Sequence, residues 1–269
     1  MFMNKVSVIT VNFNNKPGLE RTLKSVVAQT CRDFEYIIID GGSTDGSKDV
    51  IEDFHRHQSL PGFKYVSEPD KGIYDGMNKG ITMATGEYLL FMNSGDCFSS
   101  EHVIAMFNNK QIHTADLIVG RQHYIRNGKK SVCRRTFAEE VKERFLISNT
   151  LPHQATFIKR ELMQKVGGYR LDFKVVADWV FWYEAVVDHK VKVEAIDLFV
   201  ADMEEEKTSG NVDKCRTEMA RFLMEKKAAL DIEDWKRIIE ENNQAYMYRR
   251  AIKTPISKLL VKIALKMNK

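Results

Sequence analysis

Along the first hundred positions, short β-branched runs alternate with longer stretches of helical spacing. The densest run is Phe-Glu-Tyr-Ile-Ile-Ile-Asp at 34–40. An apolar segment of that length, bounded by turn residues, reads as a strand buried on both faces. Lys5 to Val11 is a second β-rich run, Phe63 to Ser67 a short one and Tyr88 to Met92 a buried one. Between them, Pro17 suits the first turn of a helix running through Leu19, Leu23, Val26 and Val27. Ser43 or Asp45 can cap a helix from Ser47 to about His57, and Tyr74 to Ala84 has helical spacing until Gly86 ends it. This βαβαβαβ order predicts an α/β fold with a mostly parallel sheet and helices on both faces, because parallel neighbours need crossovers. Gln122 to Arg134, centred on Asn127-Gly128, predicts a hairpin.

Beyond residue 211 the pattern turns to long charged amphipathic stretches, Asp213 to Leu230 and Glu233 to Ile252. The expected organisation is therefore a domain over 1–210, with halves 1–98 and 99–210, followed by a helical extension over 211–269. Pro255 starts a last segment in which Ile256, Leu259, Leu260, Ile263 and Met267 fall opposite Lys258, Lys262, Lys266 and Lys269. Such a helix either lies in an anionic membrane interface, each Lys or Arg adding ~1 kcal/mol of attraction, or packs its apolar face on protein.

Composition narrows the class. With 43% hydrophobic and 29% charged residues the chain reads as globular, which sets disordered and collagen-like classes aside. No apolar run approaches the roughly 20 residues needed to cross a bilayer, and Met1 to Val11 lacks the pattern of a signal peptide, so a cytoplasmic location is expected. Residues 249–269 carry seven basic groups and no acid; the other 248 residues hold 34 basic and 37 acidic groups. The excess of positive charge belongs to the tail, which argues against a nucleic-acid-binding body. Cys31, Cys97, Cys133 and Cys215 have no paired spacing, so neither a zinc site nor a disulfide framework is indicated.

Three loops that follow strands are rich in Asp or Asn: Asn12 to Asn15 and, with Gly and Ser as well, Asp40 to Gly46 and Asn93 to Asp96. Ligands of open α/β sheets bind outside the carboxyl ends of the strands, so these loops predict a polar crevice. No Gly-x-Gly-x-x-Gly fingerprint or phosphate loop occurs, which takes support from dinucleotide oxidoreductases and ordinary nucleotide hydrolases.

The segments Val-Ile-Thr-Val-Asn-Phe-Asn (8–14), Asp-Gly-Gly-Ser-Thr-Asp-Gly (40–46), Asp-Lys-Gly-Ile-Tyr-Asp-Gly-Met-Asn-Lys-Gly (70–80), Ala-Thr-Gly-Glu-Tyr (84–88) and Phe-Met-Asn-Ser-Gly-Asp (91–96) together resemble the family 2 glycosyltransferases of the GT-A fold. Within that family they look most like the bacterial branch that builds exopolysaccharide, O-antigen and colanic-acid repeat units. The resemblance implies a nucleotide-sugar donor, usually UDP-linked, and a polyprenyl-diphosphate-linked saccharide acceptor. It places Thr10, Asn12, Asn14, Gly42 and Ser43 at the nucleotide, Asp40 on the base, Asp70 at a second nucleotide contact, and Asn78 and Lys79 facing the donor.

The family's Asp-x-Asp motif holds a divalent cation, Mn²⁺ or Mg²⁺, on the donor diphosphate. Here the register reads Asn-Ser-Gly-Asp, so the resemblance leaves Asp96 as the metal carboxylate, with Asn93 and Ser94 as neutral contacts. Leu-Pro-His-Gln-Ala-Thr-Phe (151–157) and Val-Ala-Asp-Trp (176–179) match segments in which His153 and Gln154 line the acceptor pocket and Asp178 is the base of an inverting transfer. Processive members carry Gln-x-x-Arg-Trp beside membrane helices; this chain does not, which implies one sugar per acceptor. Lys207 and Ser209 match a diphosphate loop only in part. A glycosyltransferase-fold protein that binds without turnover is the alternative, and a nucleotidyltransferase lacks its expected first loop.

Overall fold

A computed structural model describes residues 5–57, 60, 62–109, 113–126, 128–132, 138–204 and 212–227. Its strands are β1 (Val6–Asn12), β2 (Glu35–Asp40), β3 (Lys64–Ser67), β4 (Tyr88–Phe91), β5 (Cys97–Phe98), β6 (Leu117–Arg126), β7 (Lys129–Val132), β8 (Thr156–Lys159) and β9 (Val193–Glu204). The α-helices are α1 (Lys16–Val27), α2 (Ser47–His57), α3 (Ile73–Met83), α4 (Val103–Asn109), α5 (Glu143–Ser148), α6 (Arg160–Val166), α7 (Ala177–Tyr183) and α8 (Val212–Lys227).

One sheet runs β3-β2-β1-β4-β8-β6-β9-β5, with β7 paired to β6. The half built from β3, β2, β1 and β4 is parallel throughout, as the alternating pattern predicts. Beyond β4 the sheet becomes mixed: β8 is antiparallel to both β4 and β6, and β6 runs parallel to β9. The hairpin pairs Arg126 with Lys129, in the expected place.

β1 and β2 are buried at every position because helices cover both faces. Val8, Tyr36, Ile38 and Leu90 join a core with Leu19 and Leu23 of α1 and Ile51 and Phe54 of α2. Ile9, Val11, Ile37 and Ile39 face the other way, towards Tyr74, Met77 and Ile81 of α3 and the aromatic face of α7. Each such side chain contributes roughly 1.5–3 kcal/mol by leaving water. α3 lies close to the sheet through two glycines. An added Cβ would stand 2.8 Å from Val11 Cγ1 at Gly76 and 2.6 Å from Ile9 Cγ2 at Gly80.

α8 packs on the body. Phe222 is fully buried and meets Phe173, Trp179 and Tyr183 edge-on. The packed body thus continues past residue 210, where the change of sequence pattern set its boundary. An amphipathic helix can bury its apolar stripe on its own domain as readily as elsewhere.

At the amino end of the sheet, Glu35 is buried and accepts from Lys64 Nζ (2.6 Å), Ser7 Oγ (2.5 Å), and Thr85 N and Oγ1 (2.8 and 3.0 Å). It holds the Ala-Thr-Gly turn before β4, and Gly86 is required there because an added Cβ would lie 2.7 Å from Ser7 N. Burial pushes the Glu35 carboxyl up, but the donors outweigh it and hold it below the usual glutamate value of 4.5. The unfolded chain therefore binds more protons between the two pKa values, so this stabilisation is complete above 4.5 and is lost as pH falls through the folded value. Glu35→Gln is expected to cost about 1–3 kcal/mol at neutral pH and to flatten the acid limb of the urea-midpoint profile. An unchanged acid limb overturns the assignment.

Candidate active site

The strand order reverses between β1 and β4, and the crevice beyond their carboxyl ends is the site. Asn12, the last residue of β1, lies opposite Asp40, the last of β2. Its Nδ2 donates to Asp40 Oδ1 at 2.8 Å and to Ser43 Oγ at 3.2 Å. Asn14 has φ +48°, a left-handed conformation that Asn tolerates, and its Oδ1 accepts Thr44 N at 2.8 Å. Asn15 caps α1 by accepting Gly18 N and donates to the Ser94 carbonyl, so it ties the loop after β1 to the loop after β4. Phe13 stands 62% exposed beside them.

Asp40 has no exposed surface. Besides Asn12 it accepts Ser43 N (3.0 Å), Ser43 Oγ (2.5 Å) and Ser67 Oγ (2.8 Å). Burial raises its carboxyl, yet these donors hold it below the ordinary aspartate range. A carboxylate saturated by four donors shapes the loops from beneath, and those loops expose Phe13, Asn14, Thr44 and Asp45. Gly42, with φ +81°, turns the chain between Asp40 and Ser43. Thr10 is also enclosed: its hydroxyl donates to the Met92 carbonyl at 2.7 Å and accepts from Tyr36 at 3.0 Å, so it links strands and does not line the crevice.

Asp70 lies beside the Gly41 turn that follows β2. Its Oδ1 accepts Gly72 N at 2.9 Å, and an added Cβ on Gly41 would meet its Oδ2 at 2.6 Å. Asn78 and Lys79 have other tasks. Asn78 clips the backbone of Tyr169 through both amide atoms at 2.8 Å, and Lys79 pairs with Glu68 at 2.8 Å and the Pro69 carbonyl at 3.2 Å. Helix phase turns Asn78 towards the 167–170 loop.

In the loop after β4, Asp96 is largely buried, its N–H donating to the Asn93 carbonyl and its own carbonyl accepting from Thr22 Oγ1. Asn93 Oδ1 is buried with no donor among the described residues. Gly95 has φ +108°, a conformation side chains rarely adopt, so a carboxylate at this position would strain the loop. Among the described residues no three His, Cys, Asp or Glu side chains gather into a metal cage.

Across the crevice, Asp178 lies in the first turn of α7, where the Tyr74 hydroxyl comes within 2.8 Å of Oδ1 and 2.9 Å of the Val175 carbonyl. Burial and the Asp178 charge push the Tyr74 phenol far up, so it stays protonated as a donor. His153 is buried, stacks on Phe91 with ring centroids 5.0 Å apart, and its Nε2 meets the Tyr169 hydroxyl at 2.8 Å. Burial holds this imidazole below its usual value. Gln154 donates to Met203 Sδ. Lys207, Ser209 and residues 254–269 lie outside the described residues.

The family model described as Glycosyl transferase family 2 matches residues 7–170, which span all three polar strand-end loops and the Tyr169 clip. The chain belongs to the family 2 glycosyltransferases. This glycosyltransferase is 38% identical over 192 residues to an uncharacterized glycosyltransferase of Mycobacterium tuberculosis, covering 68% of this chain and 69% of that one. It is 30% identical over 184 residues to a PGL/p-HBAD biosynthesis glycosyltransferase of Mycobacterium bovis, covering 65% and 67%. In fold it is similar to S. aureus TarS 1–349 in complex with UDP, with a TM-score of 0.69, 18% identity, and coverage of 95% of this chain and 77% of that one. It is also similar to the mannosyltransferase PcManGT of Pyrobaculum calidifontis in complex with GDP-Man and Mn²⁺, with a TM-score of 0.60, 19% identity and coverage of 77% and 59%. Asp178 and α8 of this glycosyltransferase lie beyond the matched segment.

Residues that sequence reasoning passed over include Tyr74, Tyr169, Thr22 and Ser67. Tyr74 stands in the quoted 70–80 motif, and its spacing alone gives no sign that it reaches Asp178 and packs on Tyr169, which in turn packs on Phe91. Asp40→Ala leaves four donors without their acceptor and is expected to cost about 1–3 kcal/mol in urea unfolding while also weakening UDP binding in calorimetry. Wild-type stability with weakened UDP binding would instead make Asp40 a direct ligand.

Proposed function

We propose that this glycosyltransferase moves one sugar, with inversion, from a UDP-linked donor to a saccharide carried on polyprenyl diphosphate, in the building of a surface glycan. The observation that carries the reading is Asp178 held at the crevice by Tyr74, whose helix α3 begins at the Asp70–Gly72 loop. The relatives and neighbours support it as far as their names go: TarS is recorded with UDP and with UDP-GlcNAc, and the Mycobacterium bovis relative is named for a biosynthetic pathway.

In this mechanism Phe13 offers a stacking face for the base, and Asp70 supplies an acceptor to the base or ribose. Asn14 and Thr44 bound the nucleotide from the rim. Asp178 takes the proton of the acceptor hydroxyl as that oxygen forms a bond to the anomeric carbon. The bond from that carbon to the diphosphate oxygen breaks on the opposite face, and its electron pair leaves with UDP. Tyr74 directs its proton at Asp178 Oδ1, which fixes the carboxylate's orientation and leaves Oδ2 for the acceptor. His153 and Tyr169 form the wall beneath the acceptor, with Gln154 at its edge.

The donor set fits a hard divalent cation, Mn²⁺ or Mg²⁺, carried largely by the donor itself. Asp96 and the unmatched Asn93 Oδ1 would hold it, and Ser94 stands between them. When bound, the cation supplies charge that neutralises the departing diphosphate. A second reading, nucleotide binding without turnover, is favoured by Gly95, whose backbone excludes a second carboxylate there. Asp178→Asn separates the two. Transfer is expected to fall by about 10²–10⁴-fold with UDP affinity retained. Activity that survives the change removes Asp178 as the base, and a wild-type chain that binds UDP yet turns over no donor supports the second reading.

No helix among the described residues is long and apolar enough to cross a membrane. We place the reaction at the inner face of the cytoplasmic membrane, with residues 254–269 as the docking segment. The full chain is expected to sediment with anionic vesicles more strongly than a chain ending at 253, and equal sedimentation discards the segment's role.

A further inference from the structure

α7 begins without a cap of its own, since Val176 makes no side-chain hydrogen bond to the helix. The N–H groups that lead into it find an acceptor on α8. Glu218 Oε1 accepts Lys174 N at 2.9 Å, and Oε2 accepts Val175 N at 2.9 Å and Val176 N at 3.2 Å, with Lys174 N also 3.1 Å away. Three successive backbone N–H groups therefore converge on one carboxylate from a distant part of the chain. Hydrogen bonds to an ionised acceptor are roughly twice as strong as neutral ones.

The segment so held is the one that aims Asp178. The Val175 carbonyl lies 2.9 Å from the Tyr74 hydroxyl, the same hydroxyl that reaches Asp178 Oδ1. Glu218 is anchored by residues one and two turns further along α8. Arg221 donates to the Asp172 carbonyl at 2.6 Å, Glu225 pairs with Arg170 at 3.0 Å, and Phe222 sits in the core one turn beyond Glu218. We propose that Glu218 is a positioning residue for Asp178, so that α8, beyond the segment matched by the family, completes the active site of this glycosyltransferase. This rests on Asp178 being the base.

The geometry gives Glu218 leverage over rate and little over nucleotide binding, because the crevice that would take the donor nucleotide is built from the loops after β1, β2, β3 and β4. A misplacement of about 1 Å at a reacting group can cost about 100-fold. The test compares kcat, donor KM and UDP Kd for Glu218→Ala and Glu218→Gln in the full chain, beside Asp178→Asn. Glu218→Ala is expected to lower kcat by about tenfold or more with donor KM and UDP Kd unchanged. Glu218→Gln should fall between it and wild type, since one amide oxygen still accepts. Wild-type kcat in a folded Glu218→Ala variant overturns the proposal, as does a parallel loss of kcat and UDP affinity. If Glu218→Ala does not fold, Glu218→Gln decides, and wild-type values of all three constants there overturn it. An active Asp178→Asn enzyme sinks the base assignment instead, whatever the Glu218 variants do.

Discussion

Strand β2 carries a buried carboxylate at each end, and the need to surround both with donors sets much of the structure around it. Glu35 at its start gathers Ser7, Lys64 and Thr85, while Asp40 at its end gathers Asn12, Ser43 and Ser67. A carboxylate removed from water without partners is costly enough that the surrounding chain must supply them. The donors come from β1, β3 and the turn before β4 as well as from β2's own loop. The same requirement therefore fastens the parallel half of the sheet at both edges and shapes the polar crevice at one of them.

The second constraint joins the nucleotide side to the acceptor side. Gly76 and Gly80 let α3 approach the sheet closely, which brings its first turn over the crevice and its Asn78 against the backbone of Tyr169. Tyr74 from that first turn then meets Asp178, and Tyr169 meets His153. One helix thus spans the two halves, so the residues proposed to bind donor and acceptor are placed by shared packing rather than by independent loops.

The loop after β4 shows how backbone conformation limits chemistry. Gly95 has positive φ and donates its N–H to Thr22 Oγ1, whose hydroxyl in turn meets the Asp96 carbonyl. A carboxylate at that position would be strained by this turn, and Asp96 is the acid that the loop carries.

Strand and helix order, the parallel half of the sheet, the hairpin and the crevice loops were legible in the sequence, because hydrophobic period and turn chemistry are local properties. The family followed from the motifs at the strand ends, where the same side chains must recur for one fold to hold one class of ligand. The tasks of individual polar residues were not legible. Asp40 and Thr10 are buried by strands brought in from elsewhere, Asn78 and Lys79 are engaged by chain far off or across a turn, and α8 joins the body through Phe222. A donor finds its acceptor only after distant segments pack, so the sequence alone determined which groups stand at the strand ends, and the tertiary structure decided which of them remain open to a ligand.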